Sequence, residues 1–218
     1  MKLGYFVTGT DTGVGKTAVA CALIRAFSRL GKRTAGMKPV SSGGDDTSRL
    51  TSAGGIELPD EVACPCGFSE PVAPHIAARH EGKKIEIGRI VHAYESIDAD
   101  VVIVEGIGGF LVPLDENLDT SAIPMLLDLP VILVVGMRLG AINHALLTRD
   151  AIESRGLLLS GWIANRIDPE MQASGEVLES IEARMKAPLL AVLPYDPEEK
   201  FEIDLSKLVS FPGSRNRG

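Results

Sequence analysis

Gly9-Thr10-Asp11-Thr12-Gly13-Val14-Gly15-Lys16-Thr17 decides the fold. A short apolar run, residues 5–8, precedes it, and a helix-like stretch, residues 14–30, follows. Strand, glycine-rich loop, Gly-Lys-Thr and helix, in that order, make the phosphate-binding P-loop. Glycines let backbone N–H groups turn inward around phosphate oxygens. The helix N-terminus adds partial positive charge. Lys16 can reach the β- and γ-phosphates, and the Thr17 hydroxyl suits Mg²⁺. The usual spacing places glycine at position 10, where this chain has Thr10; its first loop glycine is Gly9. The loop is a variant. By itself it says nucleoside triphosphate and names no reaction.

Outward from the loop, β-like runs at 5–8, 34–39, 101–105, 131–136, 159–164 and 189–193 alternate with helix-like stretches at 14–30, 73–81, 86–96, 142–155 and 171–185. Val-Val-Ile-Val and Val-Ile-Leu-Val-Val are apolar throughout, which suits strands buried on both faces of a parallel sheet. The expected fold class is therefore α/β: a doubly wound, mainly parallel sheet with helices on both faces, of the P-loop NTPase type. A length of 218 residues fits a single domain spanning 1–218, with residues 43–55 and the tail at 211–218 the expected mobile parts.

The bulk numbers exclude several classes. A net charge of −7 leaves no basic excess to neutralise nucleic-acid phosphates. The apolar runs are strand-sized, well short of the roughly 20 residues a membrane helix needs. The N-terminus carries no leader pattern, so a cytoplasmic location is expected. Three cysteines, Cys21, Cys64 and Cys66, suit a reducing compartment and form no metal spacing with the four histidines.

In a sheet of this kind ligands sit beyond the carboxyl ends of the strands. Those ends carry Lys38 (Met-Lys-Pro-Val-Ser-Ser-Gly), Glu105 (Val-Glu-Gly-Ile-Gly-Gly), Arg138 and Asn143, Asn165, and Pro194-Tyr195-Asp196. Glu105 stands where P-loop proteins place an acidic Mg²⁺-associated residue; otherwise it is a carboxylate capping a turn. Asp45 and Asp46 precede a short helix and read equally as Mg²⁺ partners or as a solvated helix start. Lys38 can neutralise a transferring phosphoryl group, or simply face solvent. Asn165 can read an adenine edge, or favour a turn.

Taken together, these segments resemble the dethiobiotin synthetase family, ATP-dependent cyclo-ligases of biotin biosynthesis. The matching stretches are the loop at 9–17, Lys-Pro-Val-Ser-Ser-Gly at 38–43, Pro-Val-Ala-Pro-His-Ile-Ala-Ala at 71–78, Val-Glu-Gly-Ile-Gly-Gly at 104–109, Leu-Gly-Ala-Ile-Asn-His at 139–144, Gly-Trp-Ile-Ala-Asn at 161–165, and Pro194-Tyr195. They follow family order across most of the chain, and the irregular loop is the family's own form.

The resemblance implies that 7,8-diaminononanoate, CO₂ and ATP give dethiobiotin, ADP and phosphate through a phosphorylated carbamate. It implies catalytic roles for Lys16 and Lys38, and Mg²⁺ held by Thr17, Asp46 and Glu105. Nucleotide contacts fall on Gly13, Val14, Gly15, Lys16, Thr17, Ala18, Asp46, Glu105, Gly106, Ile107, Gly108, Asn165, Arg166, Pro194, Tyr195 and Asp196. Substrate contacts fall on Thr12, Ser42 and Gly109, and on Leu139, Gly140, Ala141, Ile142 and Asn143 from the neighbouring subunit of a homodimer. Gly13 departs from the pattern, since some members carry an acidic residue there, and Arg166 departs beside Asn165.

Other readings share the core. A partition-type or cell-division ATPase would carry an additional lysine near the start of its loop, where this chain has Asp11. A cobalamin-type amidoligase would need a glutaminase domain for which 218 residues leave no room. A non-catalytic regulatory member of the same family disagrees with the retention of Lys16, Thr17, Lys38 and Glu105.

Overall fold

The computed structural model describes residues 2–195 and 201–208. Asp196 and the tail at 211–218 lie outside the described residues. In chain order the elements are β1 (Leu3–Gly9), α1 (Lys16–Arg29), β2 (Thr34–Met37), β3 (Val40–Ser42), α2 (Asp46–Ala53), α3 (Asp60–Ala63), β4 (Cys66–Phe68), α4 (Pro74–His80), α5 (Ile87–Ser96), β5 (Val101–Glu105), α6 (Ala122–Leu127), β6 (Val131–Met137), α7 (Ala141–Ser154), β7 (Leu159–Arg166), α8 (Ser174–Met185) and β8 (Leu189–Leu193), followed by a 3₁₀ turn at Leu205–Lys207.

Six strands form one sheet in the order β2-β5-β1-β6-β7-β8. Every pairing is parallel. Side chains alternate between faces along each strand. Phe6, Val102, Val104, Leu133, Val135 and Trp162 enter the core on one face, together with residues of α5, α7 and α8. Tyr5, Val7, Ile103, Ile132, Val134 and Ile163 enter the other, beneath α1 and α2. The doubly wound parallel sheet expected from the apolar runs is the fold observed.

The topology also places the loop. β1 lies between β5 and β6, and the chain crosses over β1 in passing from β5 to β6. The residues that end β5 and β6 therefore flank the loop that ends β1, at the switch point where open α/β sheets bind ligands.

Element ends differ from expectation for identifiable reasons. Helix α1 starts at Lys16, not Val14, because Gly15 at its N-cap takes a left-handed φ of 90°. Strand β2 stops at Met37: the Lys38 N–H donates to Ala63 O at 2.7 Å, and Pro39 has no N–H to continue the ladder. Helix α8 starts at Ser174 because Ala173 has a φ of 51°. The short parallel pair β3–β4 and the helices α3 and α6 carry too little periodicity to stand out in sequence.

Candidate active site

The loop folds as a phosphate cradle. Gly13 and Gly15 both have positive φ, 74° and 90°. No atom lies within 4 Å of a Cβ built on Gly13, so conformation rather than space favours glycine there. A Cβ on Gly15 would stand 2.2 Å from Asn165 Nδ2. Lys16 is buried on the first turn of α1, and its Nζ donates to the Asp11 carbonyl at 3.1 Å. Burial, followed by the charge of Lys38, lowers its pKa to about 8.

Four side chains, from α1, α2, the end of β5 and the turn after β2, meet beside Lys16. Thr17 Oγ1 lies 2.8 Å from Asp46 Oδ1 and 2.9 Å from Glu105 Oε1. Lys38 Nζ lies 2.6 Å from Glu105 Oε1 and 2.9 Å from Asp46 Oδ2, and donates to Gly106 O at 3.0 Å. Lys38 and Glu105 are almost fully buried, 2 % and 1 % exposed, so solvent does not screen the pair. Burial pushes the Asp46 carboxyl upward, but the Lys38 charge and hydrogen bonds from Lys38 and Thr17 outweigh it and leave it below its ordinary value. Of the two candidate aspartates it is Asp46, the first residue of α2, that reaches the cluster. Lys38 is far from the solvent-facing lysine that its position beside a proline allowed.

The residues present fit Mg²⁺. Glu105 Oε2 is buried and has no hydrogen-bond partner, an expensive condition for a carboxylate oxygen unless a cation covers it. Among the described residues no group of three or more His, Cys, Asp or Glu could hold a metal. Two carboxylates and one hydroxyl suit an ion that takes its remaining oxygens from phosphate and water.

The other expected residues divide by location. Ser42, at the end of β3, has a buried hydroxyl oxygen with no partner. Thr12 is exposed at the loop tip, and a Cβ on Gly108 would lie 3.6 Å from its Oγ1. A Cβ on Gly109 would lie in ordinary contact with the loop, 3.7 Å from Gly9 O, whereas one on Gly106 would press on the core at 2.9 Å from Phe6 Cζ. Ile107 packs partly buried against the core.

Beside the cradle, a groove of about 660 Å³ is lined by Ala18, Cys21, Ala22 and Arg25 of α1, Ser48, Arg49 and Ser52 of α2, and Asn165, Arg166, Pro194 and Tyr195 at the ends of β7 and β8, with Ile167, Leu193 and Phe201. Sequence reading missed Arg25 and Arg49; their spacing from Ala18 and Ser52 on helix faces was the available signal. Asn165 does two things at once: its Nδ2 donates to Val14 O at 2.8 Å and so braces the loop, and the residue also lines the groove.

Leu139 and Gly140 lead into α7, and Ala141, Ile142 and Asn143 open its first turn. Leu139 is 96 % exposed, whereas Ala141 is buried and its N–H donates to Arg138 O at 2.9 Å. A contact from Ala141 to substrate through either its side chain or its amide is therefore not available as the helix stands.

A parallel doubly wound sheet with this loop, and with Lys38, Asp46 and Glu105 around it, defines a P-loop protein that works on a nucleoside triphosphate. The fold has solved neighbours. The septum site-determining protein MinD of Pyrococcus horikoshii, solved with Mg-ADP, aligns at a TM-score of 0.59 with 17 % identity over 90 % of this chain and 83 % of its own. The signal recognition particle receptor FtsY of Elizabethkingia anophelis aligns at 0.55 with 18 % identity over 88 % and 58 %. Identities this low speak for the fold alone. A family model described as an AAA domain matches residues 3–202. The ATP-dependent dethiobiotin synthetase BioD of Nitrosospira multiformis is 49 % identical over 96 % of this chain and 95 % of its own length. That of Aromatoleum aromaticum is 51 % identical over 88 % and 90 %. The chain belongs to the dethiobiotin synthetase family.

Proposed function

We propose that this chain is an ATP-dependent dethiobiotin synthetase of biotin biosynthesis, closing 7,8-diaminononanoate and CO₂ into a cyclic urea. One observation carries the reading. The family's loop, lysine and acidic residues converge, with Lys38 held between Asp46 and Glu105 and beside the phosphate cradle. The partition-type ATPase reading loses to relatives of about half identity over nearly the whole chain.

In this reading, an amine of the diamine adds to CO₂, losing a proton, to give a carbamate. A carbamate oxygen then attacks the γ-phosphorus, and the bond from phosphorus to the β,γ-bridging oxygen breaks to release ADP. The second amine attacks the carbonyl carbon, loses a proton, and expels phosphate. Phosphorylation supplies the leaving group a carbamate lacks. Two anions must meet, so cations have to be fixed at their meeting point before reaction. Lys16 holds the β- and γ-phosphates, and Lys38 meets charge on the transferring group. Thr17, Asp46 and Glu105 would hold Mg²⁺, which when bound offsets phosphate charge. Val14, Gly15 and Ala18 line the nucleotide path, with the base beside Asn165, Arg166, Pro194 and Tyr195. Thr12, Ser42 and Gly109 face the carbamate end of the diamine.

The diamine's carboxylate is received by the first turn of α7 in a second copy of the chain, through Leu139, Gly140, Ile142 and Asn143, because helix starts favour anions. The almost fully exposed Leu139 supports a homodimer covering this end of α7. No helix among the described residues is long and apolar enough to cross a membrane, and Cys21, Cys64 and Cys66 are free thiols. Both suit the cytoplasm. The test is incubation with 7,8-diaminononanoate, bicarbonate, Mg²⁺ and ATP, followed by mass spectrometry. Dethiobiotin with equimolar ADP is expected; ADP formation independent of diamine, with no cyclic urea, would overturn the assignment.

A further inference from the structure

The irregular position in the loop, Thr10, has a partner that lies neither in the loop nor in the Lys38 cluster. Its N–H donates to Val134 O at 3.0 Å, and its Oγ1 accepts from Gly136 N at 3.3 Å. Both partners belong to β6. The next residue continues the seam. Asp11 Oδ2 pairs with Arg138 Nη2 at 2.5 Å, where Arg138 directly follows β6. The other oxygen, Asp11 Oδ1, accepts from Thr12 N at 2.7 Å, and the Asp11 carbonyl accepts from Lys16 Nζ at 3.1 Å. The hydrogen bond from Thr12 N, with the Arg138 guanidinium, holds the Asp11 carboxyl below the ordinary range.

A single guanidinium thus anchors the residue that sets both the loop tip carrying Thr12 and the resting place of the Lys16 ammonium. Arg138 and Asp11 are 39 % and 46 % exposed, and a pair that open contributes little to stability. Its geometry instead ties the end of β6, from which α7 springs, to the phosphate cradle. We propose that Arg138 is a positioning residue for phosphoryl transfer. It acts through Asp11 to fix Thr12 and Lys16, without touching substrate itself. The proposal rests on the dethiobiotin synthetase reading.

The test uses the full chain and four variants: Arg138→Ala, Arg138→Lys, Asp11→Asn, and Asp11→Asn combined with Arg138→Ala. Asn at position 11 keeps an acceptor for Thr12 N and loses the ion pair. Small misplacements of reacting groups are costly. Arg138→Ala is therefore expected to lower kcat about tenfold to a hundredfold. KM for ATP should stay near wild type, the melting temperature should be unmoved, and ADP released per cyclic urea should rise. Arg138→Lys should recover part of kcat, and the double variant should lose no more than the worse single. Wild-type kcat and coupling in Arg138→Ala would overturn the proposal. So would additive losses in the double variant, or activity retained in Asp11→Asn but lost in Arg138→Ala, which would mean Arg138 meets substrate directly. Failure of the wild-type chain to make the cyclic urea is a separate result and strikes the functional reading instead.

Discussion

Lys38 sits between two carboxylates, and the consequences belong to single residues. Its partner Glu105 has one oxygen spent on Lys38 and Thr17 and the other buried without a partner. Replacing that carboxylate by an amide removes charge a cation needs. Glu105→Gln should raise the Mg²⁺ concentration for half-maximal activity by tenfold or more, about 1.4 kcal/mol or greater; an unchanged Mg²⁺ titration would make Glu105 purely structural. Lys16 gives a pH prediction. Its pKa in the free protein is about 8, against an ordinary 10.5. Bound phosphates restore the charged form, so between those two values nucleotide binding takes up a proton and affinity falls as pH rises. In the nucleotide-free protein the sign is opposite. The unfolded chain keeps the proton up to 10.5, so this group's contribution to stability increases from about pH 8 upward. Calorimetry at pH 8.5 in buffers of differing ionisation enthalpy checks the uptake, which should vanish in Lys16→Met.

Among elements, α2 is the one whose placement the site most depends on. It presents Asp46 on its first turn and is held by Leu50, fully buried against α1 and β2 on one face of the sheet. Leu50→Ala should cost ~2–5 kcal/mol of stability, as large-to-small core changes do. It should also loosen Asp46 from Thr17, so thermal melting and the Mg²⁺ requirement should shift together. Residues 43–55 were expected to be mobile because Gly43, Gly44 and a run of small polar residues dominate them. Only Leu50 and Ala53 of that helix are buried, and two positions one turn apart are too few to give a readable period. The sheet strands, by contrast, were legible: β5 and β6 through their continuous Val and Ile runs, the others through short apolar stretches set between helical ones. Lys16 was legible from the loop motif, and Lys38 and Glu105 as strand-end residues. The Arg138–Asp11 pair and the Thr10 stitch to β6 were not, since residues about 127 positions apart meet only through strand order.

At the scale of the whole molecule, the Lys38 cluster and the start of α7 are separate features of one chain, and a shared dimeric site would unite them. Mixing inactive Lys38→Ala with inactive Asn143→Asp should then restore about a quarter of wild-type activity, since half the dimers would be hybrids with one intact site each. No recovery on mixing, or full activity in a sedimenting monomer, would contradict the shared site. Asp at position 143 stands in the first helical turn, where negative charge is favourable to folding, so its loss of activity would report repulsion of the substrate carboxylate. The central claim is that ATP phosphorylates a carbamate at the Lys16–Lys38–Glu105 site. Oxygen tracing tests it most directly. With C¹⁸O₂ supplied in a short incubation, before its oxygens exchange with water, mass spectrometry of the released phosphate should find one ¹⁸O atom per phosphate. Phosphate free of label in the presence of dethiobiotin formation would contradict it.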